Sequence, residues 1–164
     1  MIKTLLSTIL LLSSVFSSTA IFAQGNSSQA IVDDKVLTEY FRDNKIKATR
    51  TPSGLYYVIN KKGAGENVKV GQNVTMKYYG KFLDGKRFDS NMDENYNTTG
   101  NPFTFQLGRG RVIRGWDEGV QLLSPGTRAT LYIPSPLGYG AQPVGPIPPN
   151  SVLVFDVEVV SATN

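Results

Sequence analysis

NVTMKYYGKFLDGKRFD, residues 73–89, alternates apolar and polar residues up to position 82, as a strand with one buried face does. The Asp-Gly pair at positions 84–85 is typical of a tight hairpin turn, and Phe88 then lies on a short return strand. The stretch therefore predicts two antiparallel strands joined by a hairpin. The residues predicted to face the core are Val74, Met76, Tyr78, Gly80 and Phe82.

Three later stretches show strand-like patterns, namely FTFQL (103–107), RATLYI (128–133) and SVLVFDVEVV (151–160). Strand follows strand with one short helix between them. We therefore predict an α+β fold in which a curved antiparallel β-sheet wraps around one short α-helix. The side chains predicted to point inward from these strands are Phe103, Phe105, Leu107, Ala129, Leu131, Ile133, Leu153, Phe155 and Val157.

The predicted short helix lies in VIRGWDEGVQLL, residues 112–123, and contains the only tryptophan of the chain, Trp116. Gly115 and Gly119 each cost about 1 kcal/mol of helix propensity against alanine. We expect them to have a steric purpose, which is to let the helix lie close against the sheet with Trp116 at the contact. Asp117 and Glu118 are expected on the solvent face near the helix start.

The N-terminal third has a different organisation. Residues 1–23 show a lysine, an apolar run and small residues near the end, which is the pattern of a signal peptide for export to the periplasm or the medium. Residues 24–53 then hold a flexible polar lead and one amphipathic helix over about 29–43. This helix either packs on its own domain or pairs with a second chain, and we favour a monomer over a dimer through residues 29–43. Its apolar residues are Ile31, Val32, Val36, Leu37, Tyr40 and Phe41.

Composition excludes several function classes. The net charge of +4 comes from scattered basic residues, so no nucleic-acid partner is expected. The apolar run near the N-terminus is too short for a stable membrane span. The chain has no histidine and no cysteine, which removes two common catalytic nucleophiles or bases and the zinc sites built on them. No metal and no cofactor are expected.

Several segments together resemble the FKBP-type peptidyl-prolyl cis-trans isomerases, the immunophilins that bind tacrolimus and rapamycin. These segments are YYGKFLDGKRFDS, FTFQLGRGRVIRGWDEGVQLLSPGTRATLYIPSPLGYG and PIPPNSVLVFDVEVV. They occur in family order and define a predicted isomerase domain over residues 54–164. The resemblance implies an antiparallel sheet curled around one short helix, with an apolar pocket between them. Its implied partners are proline-containing unfolded or partly folded polypeptides and tacrolimus- or rapamycin-like macrolides.

The resemblance also implies the site residues. It gives a catalytic role to Tyr78, Phe88, Asp89, Tyr139 and Phe155, and a substrate-binding role to Phe103, Val112, Ile113, Trp116 and Ile147. Trp116 would form the floor of the pocket, while the Ile113 backbone N–H and the Tyr139 hydroxyl would donate hydrogen bonds to ligand carbonyls. A buried Asp89 carboxylate would need a partner, and the Tyr78 hydroxyl is the obvious one.

The chain departs from the family pattern at three places. Loop 90–102 is longer than in compact members and has no basic residue, Arg111 stands where some relatives are acidic, and Pro146 precedes Ile147. Two function classes follow from the sequence. One is an exported isomerase that accelerates X-Pro rotation in folding proteins, and the other is a non-catalytic binding module or chaperone for exposed apolar segments.

Overall fold

The structure is a computed structural model that describes the backbone of residues 18–164 and the side chains of residues 28–164. Over residues 18–164, two helices and seven strands follow one another, with two 3₁₀ turns at Val120–Leu122 and Ser135–Leu137. The elements are α1 (Ser18–Asp43), β1 (Thr49–Arg50), β2 (Tyr56–Lys61), β3 (Asn73–Lys81), β4 (Arg87–Ser90), β5 (Phe103–Gln106), α2 (Arg114–Gly119), β6 (Arg128–Ile133) and β7 (Leu153–Thr163).

All described strands join one antiparallel sheet in the order β1-β2-β6-β7-β3-β4. The strand β5 pairs with the first half of β3, and β4 pairs with its second half. A register shift between Thr75 and Met76 interrupts the long pairing of β3 with β7, and such irregularities bend a sheet. The predicted α+β class, with an antiparallel sheet around a short helix, is confirmed.

The sequence analysis did not predict the strands β1 and β2, and the bounds of the other five strands differ from the prediction only at the ends. β3 ends at Lys81 because the Phe82 N–H already bonds across the turn, to the Lys86 carbonyl at 3.0 Å. The turn itself holds Gly85 at a φ of +84°, a conformation that glycine adopts without strain. β7 begins at Leu153, because the preceding Pro-Pro-Asn segment turns the chain at Asn150, and it continues to Thr163.

The main core lies between α2 and the concave face of the sheet. A Cβ atom added to Gly115 would lie 2.6 Å from the Ile133 Cγ2 atom, and one added to Gly119 would lie 3.0 Å from the Leu131 Cδ1 atom. The two glycines therefore do allow the close approach that the sequence predicted. Trp116 is buried at this contact and is only 4% exposed. Phe103 lies on the predicted inward face, with its ring 6.2 Å from that of Trp116, but it is 40% exposed because it is on the edge strand β5.

The helix α1 packs on the convex face of the same sheet, so it docks on its own domain. It buries Leu37 and Phe41 against Tyr56, Tyr132 and Val154. The predicted apolar face is only partly right, because the helix turns Leu37 and Phe41 inward and leaves others in solvent. The exposed ones are Ile31, Val32 and Val36, with Ile31 72% exposed.

The N-terminal boundaries need a correction. Helix α1 begins at Ser18 and not near residue 29, so the polar stretch after residue 24 is helical and not a flexible lead. An existing helix gains one hydrogen bond for each residue added, and it can therefore extend through a polar segment. Most of the predicted signal peptide, residues 1–17, lies outside the described residues. Within the described part of the chain, no helix is long and apolar enough to cross a membrane.

The long loop 90–102 folds over the convex face of the sheet. Met92 is buried there, and the Tyr79 hydroxyl donates a hydrogen bond to the Glu94 carboxylate at 3.0 Å. The guanidinium carbon of Arg128 lies 4.4 Å from the centre of the Tyr96 ring. The loop is therefore anchored on the side of the sheet opposite α2.

Candidate active site

Strands β3, β4 and β7 bring four of the predicted site residues together on the concave face. Tyr78 lies on β3, Phe88 and Asp89 on β4, and Phe155 on β7. Gly80 makes this possible, because a Cβ atom there would lie 2.7 Å from the Phe88 ring and 2.8 Å from the Phe155 ring. The absence of a side chain at position 80 thus lets both rings pack over the strand.

Trp116 lies at the centre of an aromatic cluster. Its ring is 5.3 Å from that of Phe155 and 5.4 Å from that of Tyr78, both in edge-to-face geometry, and 6.2 Å from that of Phe103. Edge-to-face pairs of this kind each contribute about 0.5–1.5 kcal/mol beyond area burial. The cluster therefore forms a rigid apolar floor.

An open cavity of about 380 Å³ lies above this floor. Its volume is in the range of ordinary small-ligand sites. All ten residues that the sequence singled out line it: Tyr78, Phe88, Asp89, Phe103, Val112, Ile113, Trp116, Tyr139, Ile147 and Phe155. The structure thus brings together side chains from four strands, the start of α2 and the loop before β7.

Four further residues line the cavity, namely Arg111, Val144, Gly145 and Pro146. Val144 and Ile147 exchange two backbone hydrogen bonds of 3.0 and 2.9 Å, which close a tight turn at the rim. Loop 90–102, by contrast, supplies none of the described lining residues.

The Asp89 carboxylate accepts a hydrogen bond from the Tyr78 hydroxyl at 2.8 Å. Asp89 is exposed and not buried as expected, because β4 lies at the edge of the sheet where solvent reaches its side chain. Burial raises the pKa of the Tyr78 hydroxyl, and the bond to Asp89 raises it further. Burial and the Asp89 charge likewise raise the pKa of Tyr139. Both phenols therefore stay protonated at neutral pH and can donate hydrogen bonds.

Several donors at the cavity have no acceptor among residues 28–164, and one of them is the buried indole N–H of Trp116 on the floor. Ile113 precedes α2 in an extended conformation, and its carbonyl accepts the N–H groups of Trp116 and Asp117. The Ile113 N–H itself makes no hydrogen bond within the described residues, and neither does the Tyr139 hydroxyl. The cavity thus presents the Ile113 N–H and the Tyr139 hydroxyl beside an aromatic floor that carries the unpaired Trp116 indole N–H.

The segment before α2 is held by Asp117. Its carboxylate accepts the backbone N–H groups of Gly108 and Gly110 at 2.9 and 3.0 Å, so it is not the free solvent-facing group that the sequence suggested. Glu118, also expected to face only solvent, accepts a hydrogen bond from the Ser53 hydroxyl at 2.8 Å. Asp117 is engaged by the loop that leads directly into the helix, and Glu118 by Ser53, which lies 65 positions earlier in the chain.

The chemistry of this site is non-covalent. Its polar groups include two phenols, one exposed carboxylate, one guanidinium, the Trp116 indole N–H and the Ile113 backbone N–H. In the side chains from residue 28 onward, no group of histidine, cysteine, aspartate or glutamate could hold a metal ion. Fold and cavity together define a class of protein with an open aromatic cavity and hydrogen-bond donors beside it.

Comparison with known proteins agrees with that class. Residues 64–160 match the sequence model of the FKBP-type peptidyl-prolyl cis-trans isomerase family, and the chain belongs to this family. It is 41% identical over 134 residues to the FKBP-type peptidyl-prolyl cis-trans isomerase FkpA of Aeromonas hydrophila, covering 80% of this chain and 47% of that protein. It is 45% identical over 117 residues to FK506-binding protein 4 of Mycosarcoma maydis, covering 71% of this chain and 30% of that protein.

A solved structure has the same fold. The crystal structure of FkpA from Escherichia coli superposes with a TM-score of 0.66 at 32% identity, covering 88% of this chain and 65% of that one. The chain spans from about 30% to about 47% of the length of the two curated relatives above.

Proposed function

We propose that this chain is a peptidyl-prolyl cis-trans isomerase acting on X-Pro bonds of unfolded or partly folded polypeptides. The observation that carries the proposal is the cavity itself, in which an aromatic floor lies beside the unpaired Ile113 N–H and the Tyr139 hydroxyl. A proline ring is apolar and its neighbouring carbonyls accept hydrogen bonds, so an X-Pro segment satisfies both parts of the site.

The reaction needs no nucleophile, because no bond breaks. Rotation about the amide passes through a twisted state about 18–20 kcal/mol above the planar one. The planar amide is the more polar species, since resonance places charge on its oxygen. An apolar cavity therefore raises the free energy of the planar form more than that of the twisted form, which is the differential interaction that catalysis requires.

The lining residues have unequal roles in this proposal. Trp116, Phe103, Val112, Ile147 and Phe155 hold the proline ring and exclude water, and Phe88 buttresses Phe155 at a ring distance of 5.4 Å. The Ile113 N–H and the Tyr139 hydroxyl orient the flanking carbonyls. The Asp89 carboxylate accepts a hydrogen bond from the Tyr78 hydroxyl and thereby fixes the Tyr78 ring in the cavity wall.

The test is magnetisation-exchange NMR on Leu-Pro and Phe-Pro peptides with the purified chain, with and without tacrolimus. Catalysed cis-trans exchange that tacrolimus suppresses supports the isomerase and the macrolide partner together. Tyr139→Phe removes only one hydroxyl and should lower kcat/KM by about three- to tenfold, the worth of one hydrogen bond. Tyr40→Phe, a tyrosine on α1 outside the cavity, is the matched control and should leave exchange unchanged. A folded protein without acceleration would contradict the proposal.

Export is a separate part of the proposal and rests on the composition of residues 1–23. Mass spectrometry of the chain recovered from a periplasmic extract should give a mature N-terminus near Gln24. Recovery of the full-length chain from the cytosolic fraction would contradict it.

The alternative function, a non-catalytic holder of apolar segments, is favoured by one observation. Ile31, Val32 and Val36 form an exposed apolar stripe on α1. The same exposed stripe could also pair with a second copy of the chain, so the choice between a monomer and a dimer through residues 29–43 is still a prediction. Light scattering of the purified chain decides between them. Suppression of aggregation of an unfolded client by an isomerisation-dead chain would favour the holder.

A further inference from the structure

A buried carboxylate joins helix α1 to the segment that carries Tyr139. Asp33 is 2% exposed, and its Oδ2 atom accepts the Ser135 backbone N–H at 2.7 Å and the Ser135 hydroxyl at 2.6 Å. Its Oδ1 atom accepts a hydrogen bond from the Gln29 side-chain amide at 2.7 Å. Ser135 is fully buried, so water cannot replace Asp33 as its acceptor without a rearrangement.

Ser135 in turn holds the backbone on both sides of Tyr139. The Ser135 carbonyl accepts the N–H of Gly138 at 3.0 Å and the N–H of Gly140 at 2.8 Å. The Gly140 carbonyl accepts the Asn150 N–H at 2.7 Å, which connects the segment to the start of β7. A continuous chain of hydrogen bonds therefore runs from α1 to the backbone that presents the Tyr139 hydroxyl to the cavity.

The choice of a carboxylate at this place calls for an explanation beyond helix docking. A buried charge is costly unless several donors satisfy it, and an apolar side chain would dock the helix at lower cost. Leu37, which lies four residues further along the same face of α1, is fully buried and docks the helix in this apolar way. Asp33 instead accepts three hydrogen bonds, and two of them come from Ser135. Because hydrogen bonds to a carboxylate are directional, they fix the position of Ser135, which apolar packing alone would not do.

We propose that Asp33 is a positioning residue of the active site, through which α1 sets the placement of the Tyr139 hydroxyl. The inference rests on the proposed isomerase function, in which that hydroxyl orients a substrate carbonyl. On this view α1 is part of the catalytic architecture. Loss of the Asp33 contact loosens the Ser135–Gly140 segment and weakens substrate orientation even when the helix stays docked.

The neighbouring residue Asp34 is a matched control. Its Oδ1 atom accepts hydrogen bonds from the Arg50 guanidinium and the Tyr56 hydroxyl, both at 2.9 Å, so it also joins α1 to the domain. These contacts lead to β1 and β2 and not to Ser135. Asp33→Asn and Asp34→Asn thus each weaken hydrogen bonds that hold the same helix to the domain. Only the hydrogen bonds of Asp33 connect the helix to the segment that carries Tyr139.

The experiment compares full-length wild type, Asp33→Asn and Asp34→Asn in three measurements. Exchange NMR gives kcat and KM for a Leu-Pro peptide, ¹H–¹³C spectra give the Tyr139 ring resonances, and thermal unfolding gives Tm. We expect Asp33→Asn to shift the Tyr139 resonances and lower kcat/KM about three- to tenfold. Asp34→Asn should lower Tm while leaving kcat/KM within about twofold. Tyr139→Phe should cost little more in the Asp33→Asn background, because the hydroxyl is already misplaced there.

Two results would overturn the inference. One is a folded Asp33→Asn protein with wild-type kcat/KM and wild-type Tyr139 resonances, and the other is an equal loss of activity in both variants. If Asp33→Asn does not fold, Ser135→Ala takes its place, because it removes only the hydroxyl hydrogen bond to Asp33 and keeps the backbone one. If wild type itself does not catalyse exchange, the proposed function fails, while the Tyr139 resonances still test the coupling to Asp33.

Discussion

Gly80→Ala is a direct probe of the aromatic wall, because the strand itself can accept an alanine. The φ angle at position 80 is not in the left-handed region, so the backbone imposes no strain on the new residue. The added Cβ atom would nevertheless lie 2.7 Å from the Phe88 ring and 2.8 Å from the Phe155 ring. Both rings must therefore move, and both belong to the cavity wall.

The expected magnitude follows from two opposing terms. Overpacking of a well-packed site costs about 1–3 kcal/mol. Replacing glycine by alanine at a compatible backbone position returns about 0.4–1 kcal/mol by restricting the unfolded chain. The net expectation is a loss of about 0.5–2 kcal/mol of unfolding free energy. Displaced ring positions should also lower kcat/KM by about tenfold or more, since orientation contributes strongly to rate.

Urea unfolding and peptide exchange NMR measure the two effects on the same preparations. Gly100→Ala is the matched control, because its nearest non-neighbouring atom would be Asn91 Cα at 3.7 Å, an ordinary contact. It should change neither stability by more than about 0.5 kcal/mol nor activity by more than twofold. If Gly80→Ala behaves like Gly100→Ala in both assays, the close packing of Phe88 and Phe155 over β3 is not what shapes the cavity.

Three further predictions follow from single contacts. In a double-mutant cycle of Tyr78→Phe and Asp89→Ala, the two changes together should lower kcat/KM less than the product of the single effects, because each removes the same 2.8 Å hydrogen bond. Strictly additive losses in free energy would contradict this. Burial raises the pKa of Tyr132 from 10.0 to about 12, so the neutral phenol stabilises the fold below pH 10 and that contribution is lost as the pH rises toward 12. Because other tyrosines titrate in the same window, urea unfolding compares wild type with Tyr132→Phe: the wild type should lose about 2 kcal/mol more between pH 10 and 12, whereas equal losses would argue against this contribution. Leu37→Ala should lower the free energy of unfolding by about 2–5 kcal/mol, because it leaves a cavity between α1 and the sheet. Val32 is exposed, so Val32→Ala should lower it by less than about 0.5 kcal/mol. Equal losses in urea unfolding would mean that α1 docks by another face.

The sheet was predictable because its signal is local. A strand with one buried face must alternate apolar and polar residues whatever its neighbours are, so β3 and β6 could be bounded almost to the residue. Gly115 and Gly119 were informative for a similar reason, since a helix tolerates two such poor helix formers only where a close approach requires them. The ten proposed site residues came from resemblance to a family and not from periodicity, and the structure places all ten around one cavity.

Other features depend on surfaces that meet only in the folded chain. The apolar pattern of α1 did not reveal that Leu37 and Phe41 would be buried while Ile31 and Val32 stayed exposed, because that choice depends on the shape of the convex sheet face. The exposure of Asp89 likewise follows from the edge position of β4, which is a property of the strand order.

The sequence by itself thus determined the strands, the short glycine-containing helix and the family, since each is encoded by neighbouring residues or by motifs in order. Only the tertiary structure decided how α1 meets the active site. Asp33 and Ser135 are 102 positions apart, and no pattern in either segment predicts their contact. Hydrogen-bond geometry is sensitive to displacements of a few tenths of an ångström, and only the packing of the whole domain sets distances on that scale.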